Sequence, residues 1–328
     1  MQVAVTGASG HIGANLVRTL LERGRRVRVL IHRDRRAIEG LDVDIVEGSI
    51  HDPQTVNDFT KGTDVVYHLA AQISVDGAMG GLVAQTNTEG TRNIVNACLT
   101  HEIKKLIHFS SIHALQDQPG KEAATITEDT ALALSEGNLD YGRSKAQAEA
   151  VVIEGVAAGL NATILNPGGV LGPYDFKPSR MGEVLIQLQQ KKMPALVEGG
   201  FAWVDVRDVV EAAIVSETNG RPGERYILAG EWASFRKLAD TAHSVTGIKP
   251  PLITAPVWLA KLGVPFVSAA SKILGTSPLY TLESICAIQC HRNLSYEKAK
   301  SELGFNPRPL SETLRDTYEW HQSQGQLC

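Results

Sequence analysis

Short apolar runs rich in β-branched residues recur through the first half of the chain, at residues 3–5, 27–31, 44–46, 65–69, 106–109 and 162–165. Between them apolar residues return every three or four positions, as in Ile12, Leu16, Val17, Leu20 and Leu21. Near-continuous apolar runs of strand length indicate burial on both faces, and the helical stretches supply the crossovers that parallel strands need. The pattern predicts an α/β fold with a doubly wound parallel sheet. Ligands of such a sheet lie outside the carboxyl ends of the strands, so the residues just after each run are the ones to inspect.

The first such segment is Thr6-Gly7-Ala8-Ser9-Gly10-His11-Ile12-Gly13, between a strand pattern and a helix pattern. Glycines in a turn of this kind let backbone N–H groups approach a pyrophosphate at a helix N-terminus; a tight turn without a ligand is the plain alternative. After the second run the chain reads His32-Arg33-Asp34-Arg35-Arg36. An acid in this neighbourhood takes a ribose 2′-OH, whereas an arginine accommodates a 2′-phosphate. Arg33, assisted by Arg35 or Arg36 and flanked by His32, therefore favours NADP(H) over NAD(H), with Asp34 left as the argument for NAD. Ser49 and Ile50 follow the third run and are expected to pass over the adenine. Leu69, Ala70 and Ala71 end the fourth, where small side chains let a cofactor lie close. His68 within that run reads as a hydrogen-bonded core histidine rather than a catalyst.

Composition narrows the class. With 328 residues, the chain has room for about two domains of roughly 150 residues each. A net charge of −4 argues against nucleic acid or an anionic membrane as the main partner, leaving small molecules. Cys98, Cys286, Cys290 and Cys328 form neither a disulfide framework nor a paired metal motif, and Cys286 and Cys290 read as inert thiols sharing a helical face. No metal is expected. A first strand starting within three residues of Met1 leaves no room for a signal peptide, which predicts a cytoplasmic protein.

Two further strand ends carry chemistry. Ser110 and Ser111, followed by His113, end the fifth run, but no Gly-x-Ser-x-Gly elbow surrounds them to suggest a hydrolase. In the Ala-rich helical stretch after a polar loop over 116–140, Tyr141 and Lys145 stand four apart on one face. A nearby ammonium is expected to lower the tyrosine pKa and make its hydroxyl a usable proton donor or acceptor.

Taken in order, the glycine turn, Asp64 to Ala71, Asn87-Thr88-Glu89-Gly90-Thr91, Phe109-Ser110-Ser111, Tyr141 with Lys145, Asn166 to Pro173, Val204 to Val209 and Lys298 to Phe305 resemble the extended short-chain dehydrogenase/reductase family, of the NAD-dependent epimerase/dehydratase type. The likeness is greater still to its dihydroflavonol-4-reductase-like branch and covers nearly the whole chain. It implies a Rossmann domain in which Ser111 hydrogen-bonds the substrate oxygen, Tyr141 exchanges a proton with it, and Lys145 binds the nicotinamide ribose. It also implies cofactor contacts at Asn87 and backbone contacts to the carboxamide from Pro167, Gly168, Gly169 and Val170. Gln72, Ser74, Ser111 and His113 are the candidate substrate contacts. Arg33 falls where relatives that look NADP-dependent carry an arginine. Ser49 stands where the family usually has an acid, so the adenine lacks a carboxylate contact here.

The second half is irregular, with a helix near 182–190 and a strand and helix over 201–215. The expected division is a dinucleotide-binding domain of residues 1–166 and 201–216 and a substrate domain of 167–200 and 217–328. Residues 251–279 are mostly apolar but broken by Pro256, Lys261, Pro265 and Lys272, too short for the roughly 18 unbroken residues of a membrane span. They read as an apolar lid or wall over the substrate, or as plain core. The leading function is NADPH-dependent reduction of an aldehyde or ketone on a small, largely hydrophobic molecule. A nucleotide-sugar epimerase or dehydratase is the alternative, drawing on Arg180, Lys191, Lys192 or Arg236 for the diphosphate. A non-catalytic NADP(H) sensor is the third, disfavoured by the intact Ser111, Tyr141 and Lys145. Relatives are often dimers, so a homodimer is open.

Overall fold

Six predicted runs become six neighbouring strands of one sheet. In the computed structural model, which describes residues 1–74, 78–117, 124–274 and 281–327 but not the side chains of 266–274, they are β1 Gln2–Thr6, β2 Arg26–Ile31, β3 Asp44–Glu47, β4 Val65–His68, β5 Lys105–Phe109 and β6 Ala162–Pro167. With a seventh strand, β10 Arg225–Leu228, the order is β10-β6-β5-β4-β1-β2-β3, every pair parallel, with the direction of winding reversing between β1 and β4. Every residue of β4, β5 and β6 is buried, as the unbroken apolar runs require. The seventh strand, β10 Arg225–Leu228, comes from the stretch the sequence pattern assigns to the substrate part.

Helices cover both faces. α1 His11–Glu22 and α7 Val206–Asn219 pack one side through Leu16, Val17, Leu20, Val209, Val210 and Ala213. On the other side lie α2 Pro53–Thr60, α4 Gly90–Thr100 and α5 Asp140–Ala157, with Phe59, Ile94, Val151 and Val152 buried on the sheet. One turn of helix, α3 Leu82–Ala84, enters α4 through a π-helical segment, Gln85–Glu89, whose wider turn carries Asn87 inward. Such single π turns recur at functional sites.

Between β6 and β7 Gly169–Leu171 the chain leaves the large sheet with only Gly168 intervening. There β7 pairs with β9 Gly200–Asp205, which also takes β11 Trp232–Ser234, so the strand expected near 201 joins a small three-stranded sheet rather than the large one. A third, two-stranded sheet pairs β8 Leu196–Val197 with β12 Thr254–Ala255. Around these lie α6 Arg180–Gln189, α8 Phe235–Thr246, α9 Val257–Leu274, α10 Leu282–Ala287, α11 Glu297–Leu303 and α12 Leu310–Ser323. α6, α8 and α12 share a second core of Leu185, Leu188, Trp203, Phe235, Leu238 and Leu314.

Among the described residues no helix is long and apolar enough to cross a membrane. Parts of the predicted loop 116–140 and of the apolar stretch 251–279, together with Cys328, lie outside the described residues. α10 ends at Ala287, so Cys286 and Cys290 do not share a helical face. The Cys290 thiol instead donates to the Cys286 carbonyl oxygen at 3.2 Å, and burial and Asp117 push it up to about 12, which leaves it inert at neutral pH.

Candidate active site

The glycine turn occupies the crevice between β1 and β4. Gly7 has φ +71°, and a Cβ on it would stand 2.7 Å from the Ala70 nitrogen; on Gly13 it would stand 2.2 Å from the Gly7 carbonyl oxygen. Both positions admit only glycine, because the turn is pressed against the end of β4. Gly10 begins α1 with no side-chain cap, and the first helical turn carries no acid. The leading N–H groups of that helix thus face outward uncapped, which suits a pyrophosphate. Ser9 and Ile12 are half-buried beside them. Thr6 Oγ1 accepts from the Leu69 and Ala70 nitrogens at 3.1 Å each and fixes the two strand ends together.

The His11 side chain is engaged within the protein. Its Nε2 lies 3.1 Å from the Gly172 and Pro173 carbonyl oxygens, tying the glycine turn to the loop beyond β7. His68 behaves as the sequence indicates: Nδ1 lies 2.8 Å from Thr6 Oγ1 and Nε2 2.9 Å from Thr91 Oγ1, and burial lowers its pKa to about 3.

Beyond β2, Arg33 is exposed and has no acidic partner among the described residues, as has His32. The neighbouring cations are committed. Arg36 holds Asp34 through Nε at 3.0 Å and through a second nitrogen at 2.6 Å, and Arg35 pairs with Glu47. This bidentate bond keeps Asp34 well below the usual carboxylate range and occupies both of its oxygens. Past β3, Ser49 is half-buried and its Oγ accepts from the His51 nitrogen, while the Ile50 side chain is buried against Gly90 of α4.

Asn87 makes three hydrogen bonds. Its Oδ1 accepts from the Gln72 nitrogen at 2.7 Å, and its Nδ2 donates to the Gln72 carbonyl oxygen at 3.1 Å and to Ser144 Oγ at 2.9 Å. The Asn87 side chain therefore clamps the segment after β4 to α5. Ser74, two residues on, is buried.

Ser111, Tyr141 and Lys145 converge at the ends of β5 and α5. The close approach of α5 depends on Gly142, where a Cβ would fall 2.5 Å from the His113 carbonyl oxygen. Lys145 is buried and its Nζ donates to the Phe109 carbonyl oxygen at 2.6 Å. Desolvation lowers its pKa to about 8, opposed by the charge of Glu149. The Tyr141 pKa moves opposite to the sequence expectation. Burial pushes it up to about 12, and a hydrogen bond with the Ser111 hydroxyl pulls the other way without prevailing. One of the three Lys145 N–H groups goes to the strand-end carbonyl, and burial outweighs what the i,i+4 spacing suggests for the phenol's acidity.

Three residues to which the sequence assigns no role, Glu149, Asn166 and Arg225, support this trio. Glu149, fully buried on α5, accepts from Asn166 Nδ2 at 2.6 Å and from Arg225 Nε at 2.6 Å. The same Asn166 amide donates to the Ser111 carbonyl oxygen at 2.9 Å. Arg225 also donates to the Glu128 carbonyl oxygen. A chain of polar contacts thus links β10, α5, β6 and the Ser111 backbone. Pro167 to Val170 continue from Asn166, with Gly168 N bonded to the Leu228 carbonyl oxygen and Gly169 packed on Phe201.

The space in front of Tyr141 is aromatic. The His113 ring stands edge-on to Tyr141 at 6.4 Å, to Phe201 at 6.2 Å and to His291 at 4.9 Å; Phe201 in turn contacts Trp203 and Phe235. Burial lowers the His113 pKa to about 3, so this wall is uncharged at neutral pH. Ala260, Gly263 and Val264 of α9 and Met193 to Val197 line an apolar cleft of about 250 Å³, whose lining includes none of the candidate catalytic, cofactor-binding or substrate-contact residues. Of the cations weighed for a diphosphate, Arg236 is engaged with Thr254 and the Leu252 carbonyl oxygen, and Lys191 and Lys192 are exposed.

The NAD dependent epimerase/dehydratase family matches residues 3–229. "Sterol demethylase protein B" of Methylococcus capsulatus is 30% identical over 332 residues, covering 100% of both chains. "Putative dihydroflavonol 4-reductase" of a Synechocystis species is 29% identical, covering 98% of this chain and 94% of its own. Among solved structures, gox2253 superposes with a TM-score of 0.85 at 31% identity over 99% of each chain. A UDP-glucose 4-epimerase of Thermotoga maritima reaches 0.80 at 22% identity, again over 99% of each, which shows the shared fold. The chain belongs to the NAD dependent epimerase/dehydratase family, and is an extended short-chain dehydrogenase/reductase and an NAD(P)-dependent oxidoreductase-type enzyme.

Proposed function

We propose that this enzyme reduces the carbonyl group of a small, largely hydrophobic aldehyde or ketone with NADPH. The observation that carries this reading is the convergence of Ser111, Tyr141 and Lys145 behind an uncharged aromatic wall. Bound at the glycine turn, the nicotinamide cofactor supplies a hydride for the carbonyl carbon. Tyr141, with its pKa raised, is fully protonated at neutral pH and gives its proton to the carbonyl oxygen, completing the alcohol; solvent restores the proton. Ser111 would orient the oxygen, and Lys145 would hold the nicotinamide ribose through the N–H groups not given to Phe109. Pro167 to Val170 contact the carboxamide through their backbone, and His113 with Gln72 and Ser74 bounds the substrate.

The preference for NADPH rests on Arg33. It is the uncommitted guanidinium beyond β2, while Asp34, the acid that would favour NADH, is bound on both oxygens by Arg36. Arg33→Ala should raise the Kd for NADPH by ~10–100-fold, the worth of a charge-assisted pair, and leave that for NADH unchanged. Equal loss for both cofactors would assign Arg33 to the loop rather than to the 2′-phosphate. The reading of a nucleotide-sugar epimerase or dehydratase needs cations for a diphosphate, and of those weighed Arg236 is already engaged with Thr254 and the Leu252 carbonyl oxygen; a non-catalytic sensor would have no use for a proton donor.

The direct test is to examine the purified protein for bound cofactor, then follow oxidation of NADPH or NADH against a panel of apolar and alicyclic carbonyls. Turnover of a carbonyl with NADPH is expected. Tightly retained NAD and no carbonyl turnover would favour the epimerase class. The pH profile gives a second check: loss of reduction attributable to Tyr141 should come as an alkaline limb, because its neutral form is the donor and its pKa is raised toward about 12. An acid limb abolished by Tyr141→Phe would contradict the donor role.

A further inference from the structure

The whole-chain charge conceals a local reversal. From Thr241 to Leu282 there is no Asp or Glu, while Lys249, Lys261 and Lys272 are present. Lys249 and Lys261 are exposed, and Lys191 and Lys192 after α6 are exposed as well. Within the same stretch Leu252 is 97% exposed, Ile253 64%, Trp258 64%, Leu259 47% and Leu262 63%. Scattered apolar residues on a surface need no explanation, but five of them within eleven positions make a patch.

The arrangement follows from the helix. In its first part α9 turns Ala260, Gly263 and Val264 toward the apolar cleft beside Met193 to Val197. Trp258, Leu259 and Leu262 project from the other side. Leu252 and Ile253, just before β12 and a few residues ahead of Trp258 in the chain, are exposed as well. From Val257 to Pro265 the one charged residue is Lys261. A helix that is apolar inside and out, on a chain with no membrane-crossing helix among its described residues, calls for an apolar partner outside.

We propose that the face formed by Leu252, Ile253, Trp258, Leu259 and Leu262 docks on the surface of an anionic lipid bilayer. An indole suits the headgroup boundary, leucines enter the acyl region, and lysines reach outward to anionic headgroups while their stems cover apolar surface. Charge complementarity selects a bilayer over a second copy of this chain: two such faces brought together would oppose lysine to lysine, with no acid in the stretch to compensate. The docking places the cleft behind α9 at the membrane, and it stands whether or not the hydride chemistry proposed above is correct.

Flotation of the full chain with vesicles of phosphatidylcholine, with and without phosphatidylglycerol, is the test. The protein should float with the anionic vesicles and at least ~10-fold less with the neutral ones, since each lysine near the surface adds measurably. Trp258→Ser combined with Leu262→Ser should cut binding to anionic vesicles by ~10-fold or more, the loss of two inserted side chains, with an unchanged circular dichroism spectrum and melting temperature. Lys249→Glu with Lys261→Glu should remove the preference for anionic lipid. No flotation on anionic vesicles, or flotation undiminished in both variants, overturns the proposal. So does sedimentation showing that the Trp258 and Leu262 variant turns a dimer into a monomer while the parent fails to float, which would give the face to a second copy.

Discussion

Replacing Tyr141 by Phe lowers carbonyl turnover by ~10²–10⁴-fold, the usual worth of a positioned acid or base, and leaves the Kd of the cofactor nearly unchanged. The second half of the expectation is the more telling. Removing one hydroxyl takes away the proton that completes the alcohol, but it does not disturb the glycine turn, which lies across the sheet crevice and is shaped by Gly7, Gly13 and Thr6. The ring stays edge-on to His113, since Phe has the same shape. Turnover and cofactor titration on the same preparation separate the two effects. A variant that retains turnover takes Tyr141 out of the chemistry, and one that loses the cofactor gives it a binding role instead.

Replacing Arg225 by Met destabilises the protein by about 3–5 kcal/mol, the cost of leaving a buried charge without its partner. Glu149 is fully buried, and its second oxygen faces the Arg225 Nε at 2.6 Å. Methionine fills much of the arginine stem's volume, so the loss reads the charge more than a cavity. The double variant with Glu149→Gln should recover part of that stability, because a neutral amide no longer demands a cation. Urea unfolding of the two single variants and the double measures it. A double variant no more stable than Arg225→Met alone would show that the arginine acts through packing and its bond to the Glu128 carbonyl rather than through charge.

The parts of this site that can be read from the chain are those with local spacing. Gly7, Gly10 and Gly13 stand three apart, Tyr141 and Lys145 four apart, and Ser111 closes an apolar run. Each is a short-range regularity that the fold must respect. Glu149, Asn166 and Arg225 lie far apart along the chain and meet only once β6 and β10 pair, so no window of sequence contains them together. The direction of the Tyr141 shift was hidden for a related reason, since burial depends on the whole fold whereas the lysine four residues on is visible locally. The six apolar runs announced their strands. β10 did not: its four residues begin with Arg225 and Tyr226, whose polar ends are taken up by Glu149 and Glu302.

The three hydrogen bonds of Asn87 change what its loss would mean. All three of its hydrogen bonds go to protein atoms, two to the Gln72 backbone and one to Ser144. A dinucleotide arriving in the crevice meets a side chain whose two amide N–H groups are already committed and whose Oδ1 keeps one lone pair free to accept. Cofactor affinity lost in an Asn87 variant would therefore combine slack in the scaffold with the loss of any bond that lone pair makes, and the part recovered by stiffening that loop elsewhere would measure the share of the scaffold.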